Sequence, residues 1–226
     1  MDTKRIAGLL QPFFTAAAPS PQPCHSEQSE ESASLSQQQF TTISTYIDIL
    51  LHWNARMNLT AIRDPEEIVT RHFGESLFAA RHLFPSPSSE TETHLIDLGS
   101  GAGFPGLPIK IWNPNLRVTL IESSQKKSTF LREVIRALTL TNINVFNGRA
   151  EDFPGDRADF VTLRAVERFG AALPIAENLL VPGGSLALLI GSSQLEAAKK
   201  HLQTYAWSSV PVPQSENRIL AIGAKP

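Results

Sequence analysis

The sequence predicts an α/β fold: a doubly wound, mostly parallel sheet of seven strands, with helices ahead of it and an antiparallel hairpin at its C-terminal end. Three observations predict it. From residue 94 onward, short apolar runs alternate with amphipathic stretches of helical period. The first of those runs leads straight into a glycine-rich loop, "IDLGSGAGFPG" at 96–106. The last two apolar runs have no helix between them, so they pair antiparallel.

The elements follow in chain order. "MDTKRIAGLLQPFFTAAAPS" combines a basic start, an apolar stretch and small residues, as a secretory signal does. Gln11-Pro12 breaks the apolar core, so the reading is a short N-terminal helix over residues 1–18 that packs on the domain. Residues 19–39 are Ser, Gln, Glu and Pro with almost nothing to bury, and form a flexible low-complexity insertion or linker. Residues 40–90 are a helical region. Phe40, Ile43, Tyr46, Ile47, Leu50 and Leu51 recur at helical spacing. A second helix starts at "DPEE", with Asp64 as N-cap, Pro65 in the first turn and Glu67 completing a capping box.

Residues 91–226 carry the α/β domain. "HLIDLG", "RVTLIE", "INVFNG", "ADFVTLRA" and "GSLALLIG" read as strands. "PGLPIKIWN", "KKSTFLREVIRAL", "RFGAALPIAENLL" and "SQLEAAKKHLQTY" read as helices. "WSSVPV" and "NRILAIGAK" form the closing hairpin, and the whole is Rossmann-like.

Composition narrows the classes. The chain has 226 residues, a formal net charge of -2 and one cysteine, Cys24. One cysteine excludes an internal disulfide framework and a cysteine-rich zinc site, and no metal is expected. No apolar run approaches the roughly 18 residues that span a bilayer, so a cytoplasmic protein without a membrane partner is expected. A near-neutral chain advertises no global basic field, so DNA is not expected and any RNA contact must come from a local basic face.

The glycine loop admits two ligand classes, dinucleotides and S-adenosylmethionine (SAM). Gly101, Gly103 and Gly106 satisfy GxGxxG, which alone is weak. Glu122 ends the second strand, where a carboxylate accepts from both ribose hydroxyls in either class. Three features favour SAM. Asp97 stands two residues before Gly99, where an anion repels a pyrophosphate but suits a sulfonium and an ammonium group. "GRAEDF" at 148–153 places Glu151 after the third strand, in reach of an adenine amino group. The antiparallel hairpin is a methyltransferase feature and is not expected of a nicotinamide-binding domain.

At this point the residues resemble one family closely. "HWNARMNLTAIRDPEEIVTRHFGESL", "IDLGSGAGFPGLPIKI", "IESSQKKSTFLREV", "NGRAEDF" and "LRAV" are similar to the RsmG (GidB) family, in the same order and spacing from about residue 40 onward. The resemblance implies a SAM-dependent methyltransferase fold and methyl transfer to the N7 atom of guanosine 527, in the 530 loop of 16S ribosomal RNA. The 16S ribosomal RNA in the 30S subunit is the expected partner, and a monomer is expected. The resemblance also implies cofactor contacts at Gly99 and Phe104 in the loop, at Ala150 and Glu151 beside the adenine, and at Arg164 after the fourth strand. Leu163 stands where the family often has Ser, so this chain offers no hydroxyl there.

Guanine N7 carries a lone pair and no proton, so an in-line transfer needs alignment rather than a general base. No catalytic side chain is therefore assigned. Cations offered to RNA are Arg56, Arg63, Arg71 and His72 in the helical region, and Lys126, Lys127, Arg149, Arg164 and Arg168 around the strand ends. Trp53 and Phe104 are offered as base-stacking rings. Ordinary structural readings stand beside these. Lys126 and Lys127 open a helix and suit a solvated surface, Trp53 suits the core between helices, and His72 suits a buried or capping position. Asn54 and Asn58 suit turns or backbone clamps. The residues alone also leave open a SAM-dependent enzyme for a small molecule or protein, a nicotinamide-dependent oxidoreductase, and a non-catalytic RNA-binding scaffold.

Overall fold

A computed structural model describes residues 1–15, 34–85, 93–165 and 168–226. Most of the stretch expected to be a linker, with Cys24, lies outside the described residues.

Among the described residues, seven strands form one sheet: β1 (His94–Leu98), β2 (Arg117–Glu122), β3 (Ile143–Asn147), β4 (Ala158–Arg164), β5 (Leu180–Gly191), β6 (Ala206–Pro211) and β7 (Arg218–Ala224). Their order is β3-β2-β1-β4-β5-β7-β6. β1 pairs in parallel with β2 and β4, while β7 runs antiparallel to both β5 and β6. The expected hairpin is present, with β7 inserted against β5 so that β6 becomes the edge. β5 begins at Leu180, earlier than the apolar run suggests. Pro182-Gly183-Gly184 reads as a turn, but Gly183 takes a φ of 75°, and the chain absorbs it as an irregularity between the Ala158 and Phe160 pairings.

Chain order reverses between β1 and β4, so a crevice opens beyond their C-terminal ends. Helices cover both faces: α5 (Gly106–Trp112) and α6 (Gln125–Ala137) on one, α7 (Phe169–Asn178) and α8 (Leu195–His201) on the other. Strand alternation feeds both cores, with Leu95, Val118 and Leu120 facing the first helices and Ile96, Leu98 and Ile121 the second. Strand runs buried on both faces explain why the sequence reads as continuous apolar segments rather than as alternation.

An N-terminal layer thickens the α5/α6 face. α1 (Thr3–Thr15) buries Ile6, Leu10 and Phe13, as a packed helix does. α2 (Gln37–Asn54) starts three residues before Phe40, inside the expected linker. Ser36 and Gln39 form a reciprocal capping box there, and Leu35 is buried. Polar cap residues carry no hydrophobic period, so the pattern alone starts the helix late. α3 (Pro65–Glu67) opens on the Asp64 side chain, which accepts from the Glu67 backbone N–H at 2.8 Å. The other half of the expected box is replaced, because the Glu67 carboxylate faces Arg71 instead. α3 continues through a π-helical stretch, Ile68–Gly74, into α4 (Glu75–Leu83). Among the described residues no helix is long and apolar enough to cross a membrane.

Candidate functional site

The glycine loop follows β1 and turns across the end of β2. Gly99, Gly101 and Gly103 take φ values of 72°, 57° and 88°, which side chains with a Cβ adopt only at a cost. The Gly99 and Ser100 backbone N–H groups both donate to Ile121 O, at 2.9 and 3.0 Å. Gly106 serves packing. A Cβ there would lie 2.6 Å from Leu120 Cδ2 and 2.8 Å from Asp97 Cβ, so only glycine lets α5 approach the sheet.

Asp97 is placed differently from its sequence reading. It is 1% exposed and stands behind the loop. Its Oδ2 accepts from Gly106 N at 3.2 Å and its Oδ1 from Thr162 Oγ1 at 2.8 Å. Burial pushes its carboxyl up to about 6, partly offset by the Thr162 hydroxyl. Asp97 therefore fixes the loop and contributes negative charge from one layer below. Glu122 is at the crevice. Its Oε2 accepts from Gly101 N at 2.9 Å and its Oε1 from Ser124 N at 2.8 Å. A carboxylate has about four acceptor positions, so two remain for a ligand.

Two cavities meet at Gly99. The larger, about 350 Å³, is mostly apolar and runs between the β3 and β4 sides. Leu98, Ile121, Ala172 and Ile175 form its walls, and Ala150 and Glu151 reach it from a short 3₁₀ turn after β3. Arg149 and Arg168, both exposed, stand at its rim. The second cavity, about 230 Å³, is more polar and is lined by Thr60, His72, Phe104, Glu122, Lys127 and Arg164 among others.

The second cavity is roofed by the N-terminal layer. Asn54 clamps the chain after α2: its Oδ1 accepts from Leu59 N and Thr60 N, at 2.9 and 3.1 Å, and its Nδ2 donates to Thr60 O at 3.0 Å. That clamp sets Thr60, whose Oγ1 lies 2.8 Å from His72 Nε2. The His72 ring stacks on Phe104 with centroids 4.7 Å apart, and Phe104 stacks on Tyr46 at 5.4 Å. The Tyr46 hydroxyl donates to Ala102 O, which ties α2 to the glycine loop. Burial, reinforced by Arg164, Arg71 and Arg218, holds the His72 imidazole down at about 3. His72 is thus a neutral ring at pH 7 and supplies no cation to RNA.

Arg164 lines this cavity but faces inward. Its Nη2 donates to Arg71 O at 2.8 Å and to Glu75 Oε2 at 3.1 Å. Lys127 lines the cavity, whereas Arg56 and Lys126 are exposed and line neither cavity. Arg71 pairs with Glu75 from the π-helical stretch. Arg63 Nη2 donates to Asn58 Oδ1 at 3.2 Å, which makes Asn58 a local clamp. Trp53 packs against Phe130 and donates from Nε1 to Glu133 Oε1 at 3.1 Å, in the seam between α2 and α6. Sequence reasoning gave no role here to Tyr46, Thr60, Glu75 or Arg218. Tyr46 is hidden in the apolar period of α2, and the others act through partners distant in the chain.

The residues present fit SAM. An apolar cavity beside Glu151 suits adenine, and Glu122 keeps free acceptor positions between the two cavities. The backbone at Gly99 leaves room at their junction. Among the described residues no cluster of side chains suits a metal ion.

Comparison with known proteins agrees. A family model described as GidB, rRNA small subunit methyltransferase G, matches residues 39–218. The protein of that name from Chloroflexus aggregans is 39% identical over 204 residues, 84% of each chain. Its Listeria monocytogenes counterpart is 34% identical over 208 residues, 85% of this chain and 86% of the other. Among solved structures, a predicted O-methyltransferase of Agrobacterium tumefaciens has a TM-score of 0.55 at 20% identity, over 67% of this chain and 80% of that one. TYW2 of M. jannaschii, solved with AdoMet, has a TM-score of 0.53 at 16% identity, over 68% and 74%. These two share the fold. The chain belongs to the GidB family of SAM-dependent methyltransferases.

Proposed function

We propose that this protein transfers a methyl group from SAM to the N7 atom of guanosine 527 in 16S ribosomal RNA, acting as a cytoplasmic monomer on the 30S subunit. The observation that carries the reading is the meeting of an apolar nucleoside-sized cavity and a polar, ring-lined cavity at Gly99. The family resemblance supports the choice of nucleotide and atom.

SAM supplies a methyl group already attached to a good leaving group. The chain's own residues position. Glu122 accepts from the ribose hydroxyls, and Glu151 accepts from the adenine amino group with the backbone at Ala150 beside it. Gly99 lets the chain pass close under the cofactor, and Phe104 with His72 forms an apolar surface on the acceptor side. A guanine methylated at N7 gains positive charge, and the neutral His72 ring adds no like charge beside it. Such alignment alone can be worth roughly 7–11 kcal/mol. Lys127, Arg149 and Arg168 at the cavity mouths offer cations to the RNA backbone.

Methyl transfer from radiolabelled SAM to 30S subunits from cells lacking the endogenous enzyme tests the reading. Borohydride reduction and aniline cleavage then cut the RNA at 7-methylguanosine. A single cut in the 530 loop is expected. Label elsewhere in the RNA, or in protein, contradicts the assignment.

A further inference from the structure

A third cavity, about 70 Å³, lies beside the acceptor cavity at the C-terminal ends of β4 and β5. Arg164, Ala165, Phe169, Gly191, Gln194 and Arg218 line it, and Arg164 and Ala165 line the acceptor cavity as well. One water needs about 10–15 Å³ of such space, so the cavity has room for an anion the size of a phosphate.

Its charge is unbalanced. Glu75, 1% exposed, faces three guanidinium groups: Arg71 Nε at 3.2 Å, Arg164 Nη2 at 3.1 Å and Arg218 Nη2 at 2.9 Å. Arg71 also faces Glu67, at 3.9 Å. For Arg164 and Arg218, Glu75 is the only carboxylate in ion-pair range among the described residues, and both crowd the same oxygen, Oε2. Arg218 approaches that oxygen without hydrogen-bond geometry, and its Nε and Nη2 are buried with no hydrogen-bond partner among the described residues. Buried donors on a charged group are costly to leave unpaired. Gln194 Oε1 accepts from Gly191 N at 3.0 Å, which leaves its amide nitrogen as a further donor beside them. The guanidinium fork matches an oxyanion with two parallel hydrogen bonds. The same surplus of positive charge contributes to the depression of His72.

We propose that Arg218, with Arg164 and Gln194, forms a phosphate subsite that takes a backbone phosphate of single-stranded RNA, next to the nucleotide held in the acceptor cavity. The RNA part of this assignment rests on the proposed function. The anion site itself rests on the unpaired Arg218 donors. β7 thereby gains a role: its first residue pairs with Gly191 of β5 and delivers a cation to the crevice from the far end of the chain.

The test uses the full chain, Arg218→Gln and Arg218→Lys. S-adenosylhomocysteine (SAH) affinity first establishes that each variant keeps its cofactor site. Melting is then followed with inorganic phosphate against chloride at equal ionic strength, and binding of a mixed-sequence single-stranded oligoribonucleotide is followed across salt. Phosphate is expected to raise the melting temperature of the natural protein and not of Arg218→Gln. The slope of log affinity for the oligoribonucleotide against log salt is expected to fall by about one in Arg218→Gln. Arg218→Lys is expected to keep that slope. Equal slopes for the natural protein and Arg218→Gln overturn the proposal. If Arg218→Gln loses SAH binding, the natural protein and Arg218→Lys decide, and absence of a phosphate response in both overturns it. A phosphate response without any oligoribonucleotide binding keeps the anion site and overturns its assignment to RNA. Failure of methyl transfer to 30S subunits, with both responses present, counts against the proposed function and leaves the subsite standing.

Discussion

The two cavities that meet at Gly99 are built in different ways. The larger cavity, proposed for the adenine, is walled by small and aliphatic side chains, and its cations, Arg149 and Arg168, are exposed at the rim. The polar cavity, proposed for the acceptor, is walled by rings and charge: Phe104, the neutral His72, and Arg164, which Glu75 holds from behind. The first is made by the ends of neighbouring strands of one sheet and the helix α7 that packs beside them. The second needs the N-terminal layer and the sheet together, with Thr60 and His72 from the one and Glu122 and Arg164 from the other. A cavity of the first kind suits any adenosine-bearing ligand. A cavity of the second kind can distinguish acceptors, because rigid rings and fixed charges reject a wrong shape or a wrong charge.

The sharpest way to break this contrast is at Glu75. Glu75→Ala leaves the buried Arg164 without its only carboxylate in ion-pair range among the described residues. A loss of roughly 3–5 kcal/mol is expected, as for other broken buried ion pairs, read as a lower urea midpoint. An unchanged midpoint would mean that Glu75 contributes nothing to holding Arg164 in place. At the junction, Glu122→Ala removes the acceptors of Gly101 N and Ser124 N and, in the proposed reading, of the ribose. SAH binding is expected to weaken by about 1.5–3 kcal/mol, measured by calorimetry. Undiminished binding would take Glu122 out of the cofactor site.

His72 gives the acceptor side a pH signature. The unfolded chain binds a proton on this residue near its ordinary 6.5, and the folded chain only at about 3. As pH falls below 6.5, the unfolded state takes up a proton that the folded state refuses. Stability therefore falls with pH, by up to about 1.4 kcal/mol per unit. Asp97, raised to about 6, acts in the opposite sense between its ordinary 3.8 and 6 because the folded state protonates first. Urea unfolding at several pH values is expected to show a smaller acid loss between pH 6.5 and 4 for His72→Gln than for the natural protein. Parallel curves would mean that the imidazole is already hydrated.

The smallest expected effect separates seam from site. Trp53→Phe loses the bond to Glu133 and is expected to cost about 1 kcal/mol of stability. RNA affinity is expected to stay unchanged. A loss of about 1–3 kcal/mol in RNA binding, the worth of one stacked base, would return Trp53 to the interface.

How much of this the sequence discloses follows from the same contrast. Strands β1 to β7 are legible because each is a local apolar run bounded by turn residues. The glycine loop, Glu122 and Glu151 are legible because a strand end fixes where its next residue stands. Asp97 is legible as a loop residue but not as a buried one, since its Thr162 partner lies on another strand. The π-helical stretch leaves no period to read. Glu75 and Arg164 lie 89 positions apart, and no local pattern joins them. His72 is legible both as a cation and as a buried ring, and the structure bears out the second, with burial and arginines brought in by folding keeping it neutral. Tyr46 reads as one more apolar helix position, although its hydroxyl holds the glycine loop.

The division between the cavities is tested most directly by filling one of them. Ala171 lies at the exposed rim of the adenine-side cavity, so Ala171→Trp obstructs that cavity without entering the core. Calorimetric titration with SAH, on a variant that melts like the natural protein, should show affinity reduced at least about tenfold, or about 1.4 kcal/mol. SAH binding as tight as that of the natural protein would contradict the placement of the nucleoside in that cavity, and with it the assignment of the polar cavity to the acceptor.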